Sequence, residues 1–130
     1  MRKALLVTIM ALILAGGTAV TVFAQYKDGV FTAQDKPDRL KYVGHIKLTV
    51  KEGKIVAVEY DEVKGKDSKR KSNYVNTEMK KRNGLSWDEM AAKLEGALLS
   101  GQDPDKIDMI TGATDTHGRF IALAKAALKK

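Results

Sequence analysis

The 130-residue sequence contains no cysteine, two prolines (Pro37 and Pro104), two histidines (His45 and His117) and one tryptophan, Trp87. Each shortage excludes something. Without cysteine there is no disulfide framework, no thiolate metal site and no lipid attachment of the lipoprotein kind, which needs a cysteine where the leader is processed. Two histidines are too few for a histidine-rich metal centre. Charge is missing from one long segment: residues 4 to 24 carry none, directly after Arg2 and Lys3.

That segment has the layout of a secretory signal. Gly16 and Gly17 interrupt the apolar run, and Val22-Phe23-Ala24 places small residues where a signal peptidase cleaves. It is also long enough to cross a bilayer, so an uncleaved membrane anchor is the rival reading. In both cases Arg2 and Lys3 stay on the cytoplasmic side and everything after Ala24 is exported. Residues 1–24 are therefore read as a signal peptide or N-terminal anchor, and residues 25–130 as a single domain. Losing Arg2 and Lys3 takes the net charge from +7 to +5. This mild excess favours anionic partners or surfaces and makes no case for nucleic acid.

The exported part opens with strands. Tyr26–Ala33 combines a Lys-Asp-Gly turn signal with a Val/Phe/Thr run. Ile46, Leu48 and Val50 then alternate with Lys47, Thr49 and Lys51, Glu52-Gly53 supplies a turn, and Ile55 to Tyr60 returns, which predicts a hairpin. Residues 64–72 are highly charged and predict a solvated loop. A short helix is expected around Tyr74–Asn83, and a second after Ser86, which with Glu89 forms a capping box. A brief apolar segment, Ile107, Met109 and Ile110, reads as strand-like. A last amphipathic helix is expected over Arg119–Lys129, with Phe120, Leu123, Ala124, Ala127 and Leu128 on one face. Strands first and helices afterwards predict an α+β fold: a small antiparallel sheet, made of an N-terminal strand plus the hairpin, packed with about three helices.

Chemistry concentrates in the turn before the last helix, DMITGATDTHGRF. Gly112 opens backbone conformations closed to other residues. Thr111, Thr114, Asp115 and Thr116 can each cap free amides. The positive end of a helix there favours a phosphate. An exposed threonine could bind a phosphate or be esterified by one, and a capped turn with no ligand fits equally well.

Asp108-x-x-Thr111-Gly112-Ala113-Thr114 resembles the flavinylation motif of the FMN-binding domain family, which includes the flavin-bearing subunits of sodium-pumping quinone reductases and Rnf-type complexes. All five fixed positions agree, a coincidence expected in fewer than about one chain in a thousand from average residue usage. The likeness extends over the opening strand, the hairpin, the stretch from Gly65 to Gly84 and the last helix, and is closest to the small exported, membrane-associated branch. It implies that a separate flavin transferase cleaves FAD and joins FMN to Thr114 through a phosphodiester, with Asp108, Thr111, Gly112 and Ala113 as determinants around the acceptor. It also implies electron transfer with a membrane or extracytoplasmic partner, such as a quinone-linked complex or a cytochrome. The family often has Ser or Thr shortly after the acceptor, followed by Ser or Asn. Thr116-His117-Gly118 departs in part from that pattern.

The sequence shows no paired carboxylates, no nucleophile with its base and no metal cluster pointing to a substrate reaction of its own, so a carrier is expected rather than a reductase. Arg70 is a candidate for the flavin phosphate, and Tyr74 and Met79 are candidates for the ring. His117 reads best as a solvent-facing residue at the helix start. The alternative function is a basic extracytoplasmic module that binds anionic polymer or lipid through Lys64, Lys66, Lys69, Arg70 and Lys71, with Lys80, Lys81 and Arg82.

Overall fold

A computed structural model describes residues 26–110 and 114–130; residues 1–25 and 111–113 lie outside it. Four antiparallel strands form one sheet in chain order: β1 (Gly29–Gln34), β2 (Val43–Lys51), β3 (Lys54–Lys64) and the two-residue β4 (Asp67–Ser68). Three helices follow: α1 (Asn73–Asn83), α2 (Trp87–Gly101) and α3 (Thr114–Leu128). The α+β expectation holds.

The hairpin forms where alternation predicts it. Glu52 and Gly53 both adopt positive φ, 53° and 79°, the backbone that a two-residue turn between twisted strands requires. Asp28 fixes that turn from outside by accepting from both amides. Ile46, Leu48 and Val50 of β2 and Ile55, Val58 and Tyr60 of β3 face one side, where α2 and α3 cover them. His45 pairs with Asp61 and Lys47 with Glu59 on the opposite face. A shift in register between Thr49 and Val50 leaves Val56 outside the ladder and exposed. One sheet face is thus apolar and covered, the other polar, as the period of two dictates.

The covering helices supply matching apolar stripes. Trp87, Met90, Ala91, Leu94 and Leu98 of α2 are buried, as are Phe120, Leu123, Ala124 and Ala127 of α3. Ser86 and Glu89 form the expected capping box at the start of α2. Tyr60 stands at the centre, 6.0 Å from Trp87 and 5.2 Å from Phe120 between ring centroids, the second contact edge-on.

Within residues 64–72, Lys64, Lys66 and Lys71 are exposed as a solvated loop predicts, and Lys69 and Arg70 depart from it. Lys69 turns inward to Glu62, and Arg70 bonds Asp88, Glu95 and the Tyr60 carbonyl. The reason lies in the sheet. Beyond its short pairing with β4, β3 has an open edge, and long side chains close it: Glu95 accepts the Tyr60 amide and Gln102 bonds both backbone groups of Ile55.

Gly44 is set by a close approach. A Cβ there would stand 2.9 Å from Leu123 Cδ1, 3.1 Å from Arg119 Nε and 3.2 Å from Asp35 Oδ2. Gly44→Ala is expected to push α3 off β2 and cost about 1–3 kcal/mol, read as a lower urea midpoint with an unchanged slope.

Candidate functional site

The motif turn is held by a stem on each side. At the end of α2, Gln102 adopts left-handed backbone (φ 61°) and its amide bonds the Leu98 carbonyl. Its carboxamide spans to Ile55, so the chain leaves α2 clamped to β3. Asp103 caps a 3-10 turn, Pro104–Lys106, by accepting from the Asp105 amide. Asp105 pairs with Lys125 of α3 at 2.9 Å. Ile107 is buried in the core, and its carbonyl lies 2.9 Å from His117 Nε2. A carbonyl can only accept, so His117 donates from Nε2 and joins the incoming stem to the first turn of α3. The expected solvent-facing role of His117 gives way to this structural one, for which a half-buried position is needed.

Past Ile107 the chain turns outward. Asp108 is exposed, Met109 is 57 % exposed, and Ile110 packs partly against the core. The segment is irregular and not the expected strand. The 3-10 turn that leads into it packs on α2 and α3, and residues 107–110 join no strand of the sheet. Thr111, Gly112 and Ala113 lie outside the described residues. Thr114 is the first residue of α3 and is exposed. The last helix therefore begins five residues before the Arg119 expected from apolar periodicity alone.

Beneath this turn a polar cluster locks α3 to the sheet. The Arg119 guanidinium bonds Asp35 with Nε (2.6 Å) and a second nitrogen, Asp38 at 2.9 Å and the Tyr42 carbonyl at 2.7 Å. It also stands 3.3 Å from Glu62, a carboxylate with only 2 % exposure. Lys69 reaches the same oxygen, Glu62 Oε1, at 2.6 Å, and the Tyr60 hydroxyl donates to Oε2. Burial, then the Glu62 charge, push the Tyr60 hydroxyl well above the usual phenol range. For Asp35 and Asp38 burial pulls upward, but the Arg119 guanidinium and nearby backbone amides outweigh it and hold both carboxyls below their ordinary value. The sequence offers no signal for this cluster, because its members are 84 positions apart.

The chain matches the FMN-binding domain family over residues 42–129. It belongs to that family. A crystal structure of a Clostridium perfringens protein has a TM-score of 0.75 at 34% identity, covering 80% of this chain and 87% of that one. A solution NMR structure of a Clostridium thermocellum protein has a TM-score of 0.52 at 29% identity, over 79% and 90% of the two chains. The comparison with curated proteins finds no match. Membership in the FMN-binding domain family makes this a flavin-binding protein with FMN as its cofactor.

Of the motif residues described, Thr114 has the exposure and the helix position that suit a phosphate. Thr114 presents its side chain to solvent at the positive end of a fifteen-residue helix, and Met109 offers uncovered apolar surface nearby in sequence. Of the other candidates two are engaged in the fold and one is exposed. Arg70 is committed to Asp88 and Glu95. Tyr74 is 75 % exposed on α1, and Met79 packs partly against the core. Two surface hollows lie between α1 and α2 and across the open sheet face; neither is lined by Asp108 or Thr114.

Proposed function

We propose that the chain is an extracytoplasmic electron-carrying flavoprotein with FMN joined to Thr114 through a phosphodiester. The observation that carries this reading is the exposure of Thr114 on the first turn of α3, between two anchored stems, in a chain of the FMN-binding domain family. A separate flavin transferase would supply the group. The Thr114 oxygen forms a bond to the flavin-side phosphorus of FAD, the pyrophosphate bond breaks, AMP leaves, and the hydroxyl proton is released. Bound FMN supplies one- and two-electron redox chemistry.

The protein's own contribution is placement. Ile107, His117 and Phe120 fix where the turn leaves and re-enters the fold, so a group on Thr114 is held at one end of the domain. A covalent bond would secure the cofactor outside the cytoplasm, where no pool of free FMN replaces one that diffuses away. An exported location and redox partners such as a quinone-linked complex or a cytochrome belong to the same proposal. Among the described residues no helix is long and apolar enough to cross a membrane.

Co-expression with a flavin transferase is expected to give a denatured gel band with flavin fluorescence and an intact mass raised by one FMN less one water. Thr114→Ala should abolish both while leaving the fold intact, because the side chain is exposed. Fluorescence retained in Thr114→Ala, or colourless wild type beside active transferase, overturns the reading.

A further inference from the structure

The end of the domain that carries Thr114 also presents a basic face around a single exposed leucine. Arg119 ties the loop between β1 and β2, residues 35–42, to α3 through Asp35, Asp38 and Tyr42. Thr114 lies five residues nearer the helix start, about 7–8 Å further along the axis at 1.5 Å per residue. Just past the other end of α3 the chain returns to β1, where Lys130 Nζ donates to the Thr32 carbonyl, three residues before Asp35. The loop and Thr114 therefore share one pole of the molecule. The β3–β4 turn joins them there, since Val43 pairs with Val63 and Lys64 lies over the Tyr42 ring at 5.3 Å.

Charge on these two loops is sorted by position. The acids of the first loop, Asp35 and Asp38, are spent internally on Arg119. The cations Lys36, Arg39, Lys41, Lys64 and Lys66 are all exposed. Asp67, beside Lys66, and Asp115 and Asp108, beside the motif, are the exposed acids that face them. Between Arg39 and Lys41 stands Leu40, 61 % exposed. It is not loosely held: Asp38 accepts from the amides of both Leu40 and Tyr42, and Lys41 sits at positive φ, 73°. A leucine held outward on a braced turn and ringed by cations has the anatomy of a small transient docking face, with an apolar centre and a charged rim that steers the encounter.

We propose that this pole docks an acidic electron-transfer protein, with Leu40 at the centre of contact and Lys36, Arg39 and Lys66 steering it toward the cofactor on Thr114. The proposal rests on the flavoprotein reading for its redox purpose, but the docking face can be tested without flavin. One electron then passes from reduced flavin to the oxidised partner in each encounter. A membrane surface is the competing occupant. It fits less well, because Leu40 is one apolar side chain on a loop and not an apolar stripe.

The test uses the acidic haem protein cytochrome b5 as probe and the triple variant Lys36→Glu/Arg39→Glu/Lys66→Glu, whose exposed sites leave the core untouched. Amide shifts of isotope-labelled protein titrated with cytochrome b5 should centre on residues 35–42 and 63–67, with or without flavin loaded. Affinity should fall about tenfold between about 0.02 and about 0.2 M salt, and by about as much at low salt in the triple variant. With flavin loaded, reduction of cytochrome b5 should slow in parallel. Shifts spread over the open sheet face, or an affinity indifferent to charge reversal, overturn the proposal. So does wild-type binding to phosphatidylglycerol vesicles that the triple variant loses while cytochrome b5 binding is unchanged. Failure to load flavin sinks the flavoprotein reading alone, and the titration of the unloaded chain still decides the docking face.

Discussion

Replacing Arg119 with leucine is expected to destabilise the domain by about 3–5 kcal/mol, the usual consequence of removing one partner of a buried ion pair. The guanidinium is the common counterion of Asp35, Asp38 and Glu62, and Glu62 is the most deeply buried of the three. Without Arg119, Lys69 alone faces Glu62, and Asp35 keeps its burial without its cation. Leucine matches the length of the stem but satisfies neither carboxylate nor the Tyr42 carbonyl. Urea or thermal unfolding measures the loss.

The pH dependence separates this mechanism from simple loss of packing. In the wild type, burial raises the Asp35 and Asp38 carboxyls but Arg119 and the amides lower them further, so their folded pKa values lie below the unfolded ones. Their contribution to stability is complete above the unfolded value, near 3.9 for a free aspartate, and disappears as pH falls through the folded value. In Arg119→Leu only burial and the amides remain, and that contribution shrinks or reverses. The stability gap between wild type and variant should therefore narrow as pH falls below about 4. A gap of constant size would assign the whole effect to packing.

Phe120→Ala is expected to cost a similar amount, about 3–5 kcal/mol, through lost burial and the cavity left behind. Phe120 is fully buried and meets Tyr60 edge-on at 5.2 Å, in a layer closed by Trp87 on the other side of that ring. Its position gives the substitution a second consequence. Phe120 is the first fully buried side chain of α3, so it pins the helix start from which Thr114 projects. Loss of that pin should reduce FMN incorporation in cells under conditions where a core change of similar stability cost outside α3 does not. Comparing fluorescence per mole of folded protein for Phe120→Ala and Met90→Ala makes the distinction, since Met90 is fully buried on α2.

The features that local spacing controls were legible beforehand. The alternation from Ile46 to Tyr60 fixes a hairpin with one apolar face, and Glu52-Gly53 accepts the positive φ its turn demands. Ser86 and Glu89 mark the start of α2, and the five-position motif points to the family that residues 42–129 match. Four expectations needed correction, among them a solvent-facing His117, which bonds the Ile107 carbonyl instead. Apolar periodicity dates α3 from Arg119, whereas helical backbone begins at Thr114, because polar residues in a first turn satisfy their amides without touching the core. Ile107–Ile110 looks like a strand but finds no neighbouring edge. Lys69 and Arg70 look like solvated charge, yet open backbone on β3 and the buried Glu62 draw them in.

By itself the sequence determined most of the element types, the apolar faces and the motif that points to the family, all of which depend on residues within a few positions of one another. Only the tertiary structure decided which charges are spent and which remain free. Arg119 consumes Asp35 and Asp38 across more than eighty positions, and so leaves the pole beside Thr114 with uncompensated cations. Chain folding sets that pairing, because Coulomb energy and desolvation depend on distance and burial in space and not on separation along the chain.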